Sequence, residues 1–288
     1  MEWYVYTLIS AFFIALANIA GKKALFKVHV IEFRTTLKIL EVPLLLLLIP
    51  FIDFNIEIWA YIYIFLIASV VVVAGIFWAK AIKHSEISAV SPLQNLSPIF
   101  LVILSFIILK ETVTLQQGMG ITILIIGTYV LEVDHKISNL KEPILKIIKT
   151  KTIHFVMISL FLYSLSAVGD KYMIGNIDRM TYLFLIWMFM TIISLAISSI
   201  FYNCLKDVAY CIKKSGWIIF LAGLFSFISA LAYFQALTMV MVSLLIPLKR
   251  LSTLFVTLIG GELFHDHGLK LKAVACVILI VGALLVVL

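Results

Sequence analysis

Two permanent cations, Lys249 and Arg250, stand side by side inside the apolar run "SLLIPLKRLSTLFVTLIGG" (243–261). Basic side chains in apolar surroundings bind carboxylates and phosphates well, because charge-assisted hydrogen bonds strengthen there. The same pair can instead be structural, ion-paired or snorkelling to a surface, so its meaning depends on its depth. A second cluster, Arg34, Lys38 and Glu41 in "EFRTTLKILEVP", is spaced i, i+4, i+7 and lies along one helix face. Glu41, beside Pro43, has three open roles: neutralising Lys38, neutralising Arg250 across the bundle, or carrying a proton as a coupling site.

The elements that hold these residues are set by composition. Of 288 residues, 64% are hydrophobic and only 13% are charged, about half the charge of an ordinary soluble domain. Lipid must therefore be the solvent. Ten apolar segments are long enough to span, roughly 3–21, 31–52, 57–79, 87–109, 116–133, 153–174, 180–202, 216–236, 241–263 and 270–288. Runs this long are incompatible with a β-barrel, whose strands alternate over about ten residues. In this span map Glu41 is the one carboxylate placed well inside the hydrocarbon. Glu2 stands where a signal peptide would carry a basic region, so the first segment is expected to stay as a span. The formal charge of +7 is read as loop lysines placed by topology, and nucleic acid is excluded as a partner.

The two halves repeat. A register of 155 residues pairs Ser88 with Ser243, Pro92 with Pro247, Ser97 with Ser252, Phe100 with Phe255 and Gly127 with Gly282. A register of 149 pairs Ser10 with Ser159, Phe12 with Phe161 and Lys22 with Lys171. Five spans per half is odd, so the second half enters the membrane inverted. The expected fold is an all-α polytopic membrane protein of ten transmembrane helices in two inverted five-helix repeats. These cover 1–133 and 153–288, joined by the basic loop 134–152. Such an architecture places a binding site near the midplane between halves.

The repeat also sets the depth of the cation pair. The loop before span nine falls near 238–241, which puts Lys249 and Arg250 about 12 Å into a core of about 30 Å. Two unsatisfied cations there would cost about 5–7 kcal/mol. Arg250 shares an i+3/i+4 stripe with Thr253, Thr257 and Gly260, whereas Lys249 points toward Ser252 and Val256, so Arg250 is the stronger candidate. In the aligned register, Gln94 and Asn95 face Lys249 and Arg250 from the other half. Trp78 aligns with Tyr233, and Asn18 and Tyr163 add polar tips on spans one and six.

The segments "FWAKAIKHSEISAVSPLQNLSPIFLVILSFIILKETVTLQQGMGITILIIG" (77–127) and "YFQALTMVMVSLLIPLKRLSTLFVTLIGGELFHDHGLK" (233–270) resemble the drug/metabolite transporter superfamily, EamA-like type. Glu111 matches the acidic residue that family often carries after the fourth helix. Asp266 holds the corresponding place in the second half, with Asp replacing Glu. The resemblance implies a secondary transporter in the cell membrane, commonly an exporter of amino acids or other metabolites. Arg250 and Lys249 suggest a small anionic or zwitterionic cargo bearing a carboxylate or phosphate, such as an amino or organic acid, and a homodimer is among the expected assemblies. The alternative is a lipid-carrier translocase or a non-transporting membrane partner.

Other classes find little support. A passive channel lacks a filter sequence and ring-like charge repeats. No Walker loop, GxSxG or HExxH is present, so no enzymatic reaction and no cofactor are expected. Cys204, Cys211 and Cys276 form no disulfide framework, and the alternating residues of "HDH" (265–267) are poor convergent metal ligands, so no metal is expected. Lysines and arginines outside the spans concentrate in the odd-numbered loops, which favours both termini outside the cytoplasm. The resemblance implies the opposite orientation.

Overall fold

The computed structural model describes residues 2–25, 27–28, 30–83, 93, 96–132, 152–201, 204–263 and 269–288. Among these there is no strand, and the chain runs through α1 (Trp3–Leu25), α2 (Val30–Leu46), α3 (Ile58–Lys83), α4 (Ser97–Leu109) and α5 (Leu115–Glu132). The second half follows as α6 (Thr152–Ile174), α7 (Arg179–Phe201), α8 (Cys204–Leu237), α9 (Val242–Lys249), α10 (Ser252–Leu263) and α11 (Leu269–Val287). Five of these helices are each long and apolar enough to cross a membrane alone: α1, α3, α6, α7 and α8.

The packing is that of two interlocked repeats. α1 packs on α8, and its counterpart α6 packs on α3; α2 lies against α8 as α7 lies against α3; α1 meets α10 as α6 meets α4. The third helix of each repeat thus sits in the other half of the chain. The last helices, α5 and α11, pack on each other about the pseudo-twofold relation. A Cβ on Gly127 would lie 2.9 Å from Leu279 Cδ2 and 3.0 Å from Ile278 Cγ2. A Cβ on Gly282 would lie 2.9 Å from the Leu124 backbone N and 3.0 Å from Ile123 Cγ2. Each glycine meets the counterparts of the residues that its mate meets, in the 155-residue register. Small residues that let backbones approach are what hold helices together in lipid, where no hydrophobic force does so.

Two elements depart from the span map. α8 starts at Cys204 rather than near 216 and runs for 34 residues, about 51 Å. The stretch before residue 216 is helical because "LKDVAYCIKK" contains no breaker and has an apolar face. Cys211 and Ile219 on that face are fully buried against Ala24, Val28 and Phe33. Span nine is not continuous: α9 ends at Lys249 and α10 begins at Ser252. Between them i→i+3 hydrogen bonds close the turn, Leu251 N to Leu248 O and Thr253 N to Arg250 O, both 3.0 Å. Pro247 within α9 supplies no backbone donor, which weakens the ladder on its upstream side.

Candidate functional site

A cavity of about 430 Å³ lies in the bundle interior, walled by α2, α3, α4, α6, α7, α8 and the end of α9. Both Lys249 and Arg250 line the cavity, whereas the i+3/i+4 stripe favoured Arg250 alone. Thr253 is used locally instead, its hydroxyl donating to the Arg250 carbonyl at 2.9 Å. Arg250 Nη2 donates to Ser97 Oγ at 2.6 Å, and Ser164 Oγ donates to the Ser97 carbonyl at 3.1 Å. This links α9 to α4 and α6. The Lys249 ammonium sits 4.1 Å from the centroid of the Tyr233 ring, a cation–π contact that replaces part of its lost hydration.

Asp170 on α6, not singled out from the sequence, joins the site. It lines the same cavity and accepts a hydrogen bond from the Tyr182 hydroxyl. The Tyr233 hydroxyl is also bonded to it, and Lys249 acts on it electrostatically. A carboxylate lining an interior cavity persists when donors and a cation surround it. The sequence held one signal. In the 149-residue register, the position matching Asp170 is Gly21 and the next pair is Lys171 with Lys22. An acid therefore stands in one repeat where the other has glycine.

Arg34 brings a third cation, from the first half. Its Nη2 donates to Tyr163 OH at 3.3 Å, and its guanidinium lies against Gly75 on α3. A Cβ on Gly75 would fall 2.3 Å from Arg34 Nη1, so the missing side chain is what makes room for the arginine. Glu41 and Lys38 form an ion pair at 2.5 Å. Glu41 is buried and packs beside Gly223 of α8, and Lys38 Nζ lies 4.2 Å from the centroid of Trp187, a cavity residue.

Of the residues singled out from sequence, Arg250, Lys249, Tyr233, Trp78 and Tyr163 are brought together at the cavity. Glu41 and Lys38 stand beside it. Asn18 is exposed on α1 and does not line it. Gln94, Asn95 and Asp266 lie outside the described residues, as does the "HDH" stretch. Sequence reasoning missed Asp170, Trp187 and Ser97 as lining residues, and it read Arg34 only as part of a helix face.

Comparison with known proteins places the chain in a family. The profile of the EamA-like transporter family matches residues 1–133 and again 150–288, so the chain belongs to the EamA-like transporter family. It is an integral membrane protein. An uncharacterized protein of Methanocaldococcus jannaschii is 36% identical over 73 residues, covering 25% of this chain and 53% of that protein. The chain thus spans about half the length of that curated relative. A protein of known crystal structure superposes with a TM-score of 0.68 at 15% identity, covering 98% of this chain and 96% of its own. That likeness concerns the fold alone.

Proposed function

We propose that this protein is a secondary-active transporter that moves a small anionic or zwitterionic metabolite, such as an amino or organic acid, by alternating access between its inverted repeats. The observation that carries this reading is the charge of the central cavity. Arg34 from the first half and Lys249 and Arg250 from the second stand against one carboxylate, Asp170. Asp170 is engaged by Lys249 and two tyrosines, and the planar guanidinium forks of Arg34 and Arg250 in the same lining suit a carboxylate or phosphate. Trp78, Trp187 and Tyr163 supply flat apolar walls. A site shared between repeats suits alternating access, because each repeat contributes part of the coordination.

The test is flux in proteoliposomes loaded with monocarboxylates, dicarboxylates, amino acids or phosphate esters. Replacing Arg250 by Gln should lower flux of the cargo about 10–100-fold, the scale of one charge-assisted hydrogen bond. R250Q protein that inserts, folds and transports like the parent would remove the site assignment. A second reading, translocation of a lipid-linked carrier, rests on a smaller cavity of about 180 Å³. It is walled mainly by apolar residues of α3, α4 and α6, including Leu66, Val70 and Ile108. Movement of a labelled polyprenyl phosphate between leaflets, without flux of any small solute, would favour that reading.

A further inference from the structure

Beyond the cavity, toward the face where both termini lie, the bundle is plugged by fully buried residues: Met173, Tyr182, Leu237, Val242 and Leu245. The α8–α9 connection crosses this end, and two charged side chains grip it. Glu111, in the connection after α4, accepts from Val242 N at 3.0 Å, Ser243 N at 3.1 Å and Ser243 Oγ at 2.6 Å. Lys171, next to Asp170 on α6, donates to the Leu237 carbonyl at 2.6 Å and the Val240 carbonyl at 2.8 Å. The first turn of α9 and the last turn of α8 are therefore both closed by side chains from elsewhere.

This is not how a static helix is usually finished. Met241, at the N-cap of α9, makes no side-chain capping bond, although a local Ser, Thr or Asp is the common solution. A cap supplied by a different segment of the chain can be withdrawn, and water can then take over the freed N–H groups. α9 itself has eight residues, about 12 Å. Its first turn is held by Glu111, and its last carries Lys249, with Arg250 following. An i→i+3 turn at 248–254 separates it from α10, and such a turn is a common place for a helical hinge.

We propose that α9 is a strut joining the central site to a gate at the termini face, and that Glu111 and Lys171 are the latch holding this gate shut. The proposal rests on the transporter reading, in that a gate needs a site to guard. When the latch is engaged, the cavity is closed toward the termini. A ligand that pulls on Lys249 and Arg250 moves the strut, and release of its first turn from Glu111 opens that face.

The test needs no substrate. Met190, a cavity residue on α7, is replaced by Cys in the full chain. Vesicles are captured through a C-terminal tag, so the termini face outward, and treated with a membrane-impermeant maleimide. Labelling is read at residue 190 by mass spectrometry, so native cysteines do not interfere. Labelling should be slow in M190C and rise at least about tenfold in M190C/E111Q and M190C/K171M, with faster amide exchange at 242–243. M190C/S243A, which keeps both backbone bonds to Glu111, should give a smaller rise. Should E111Q not fold, Glu111→Asp, which keeps the charge but withdraws it by one methylene, is read with S243A in its place. Unchanged labelling and exchange in folded latch variants, or fast labelling already in M190C, overturns the gate. Because solute flux is measured separately, loss of flux with labelling as expected would remove the cargo reading and leave the gate standing.

Discussion

The α5–α11 seam and the central cavity are built on the same inverted repeat and treat it in opposite ways. At the seam the two halves match position for position: Gly127 meets Ile278 and Leu279, and Gly282 meets Ile123 and Leu124. At the cavity the match is broken. Asp170 stands where the first half has Gly21, and Lys249 and Arg250 stand where it has Gln94 and Asn95. Contacts that recur in both halves hold the bundle together. Positions where the halves differ carry charge, and charge inside a membrane is retained for a function.

The largest effect is therefore expected where symmetry is broken. Asp170→Asn removes the negative charge facing Lys249 and should lower the stability of the detergent-purified protein by about 3 kcal/mol, as removal of one partner of an interior charge pair does. At the matching position, Gly21→Ala meets only the Phe33 ring at 3.2 Å and should cost under about 1 kcal/mol. Equal shifts in unfolding midpoint for the two variants would show that the asymmetry has no energetic meaning. At the seam, Gly282→Ala places its methyl against the Leu124 backbone N, which cannot rotate away. A loss of about 1–3 kcal/mol is expected, larger than for Gly127→Ala, whose nearest neighbours are side-chain atoms. A neutral G282A would mean that the seam is not the rigid joint.

The same contrast explains what could be read from the chain. The ten spans and their duplication were legible, because lipid demands long apolar runs and Pro, Ser, Phe and Gly recur in one register. The break at 250–251 was not, since Pro247 marks a weakened ladder without saying where the turn closes. The length of α8 was hidden by its polar first turns, which are helical only because Cys211 and Ile219 find Ala24, Val28 and Phe33. Asp170 falls near the end of the span at 153–174, where a carboxylate is ordinarily solvated. Its place in the interior depends on Tyr182, Tyr233 and Lys249, which reach it only once α6, α7, α8 and α9 have packed.

A smaller effect separates site from scaffold at a single glycine. Gly75→Ala would bring a methyl to 2.3 Å from Arg34 Nη1. The obstructed atoms are the far end of a flexible side chain, so the arginine moves and the fold persists. Unfolding temperature should change little, while affinity for the transported anion, read by ligand-induced thermal shift, should fall about tenfold. An unaltered affinity would place Arg34 outside the site.

The smallest effect tests the seam logic on a polar contact. Ser10 Oγ lies 3.0 Å from Ser229 Oγ, and Ser229 Oγ also donates to the Ser10 carbonyl at 2.8 Å. In the other half, Ser159 Oγ donates to the Ala74 carbonyl at 2.9 Å. Ser159 and Ala74 are the repeat counterparts of Ser10 and Ser229. Ser229→Ala thus turns the first contact into a copy of the second, leaving the Ser10 hydroxyl free to donate to the carbonyl of residue 229 as Ser159 does to Ala74. The expected loss is about 0.6 kcal/mol, the average for an interhelical hydrogen bond in a membrane. A loss above about 2 kcal/mol would mean that the two contacts are not equivalent, and that the repeat's symmetry stops short of this pair.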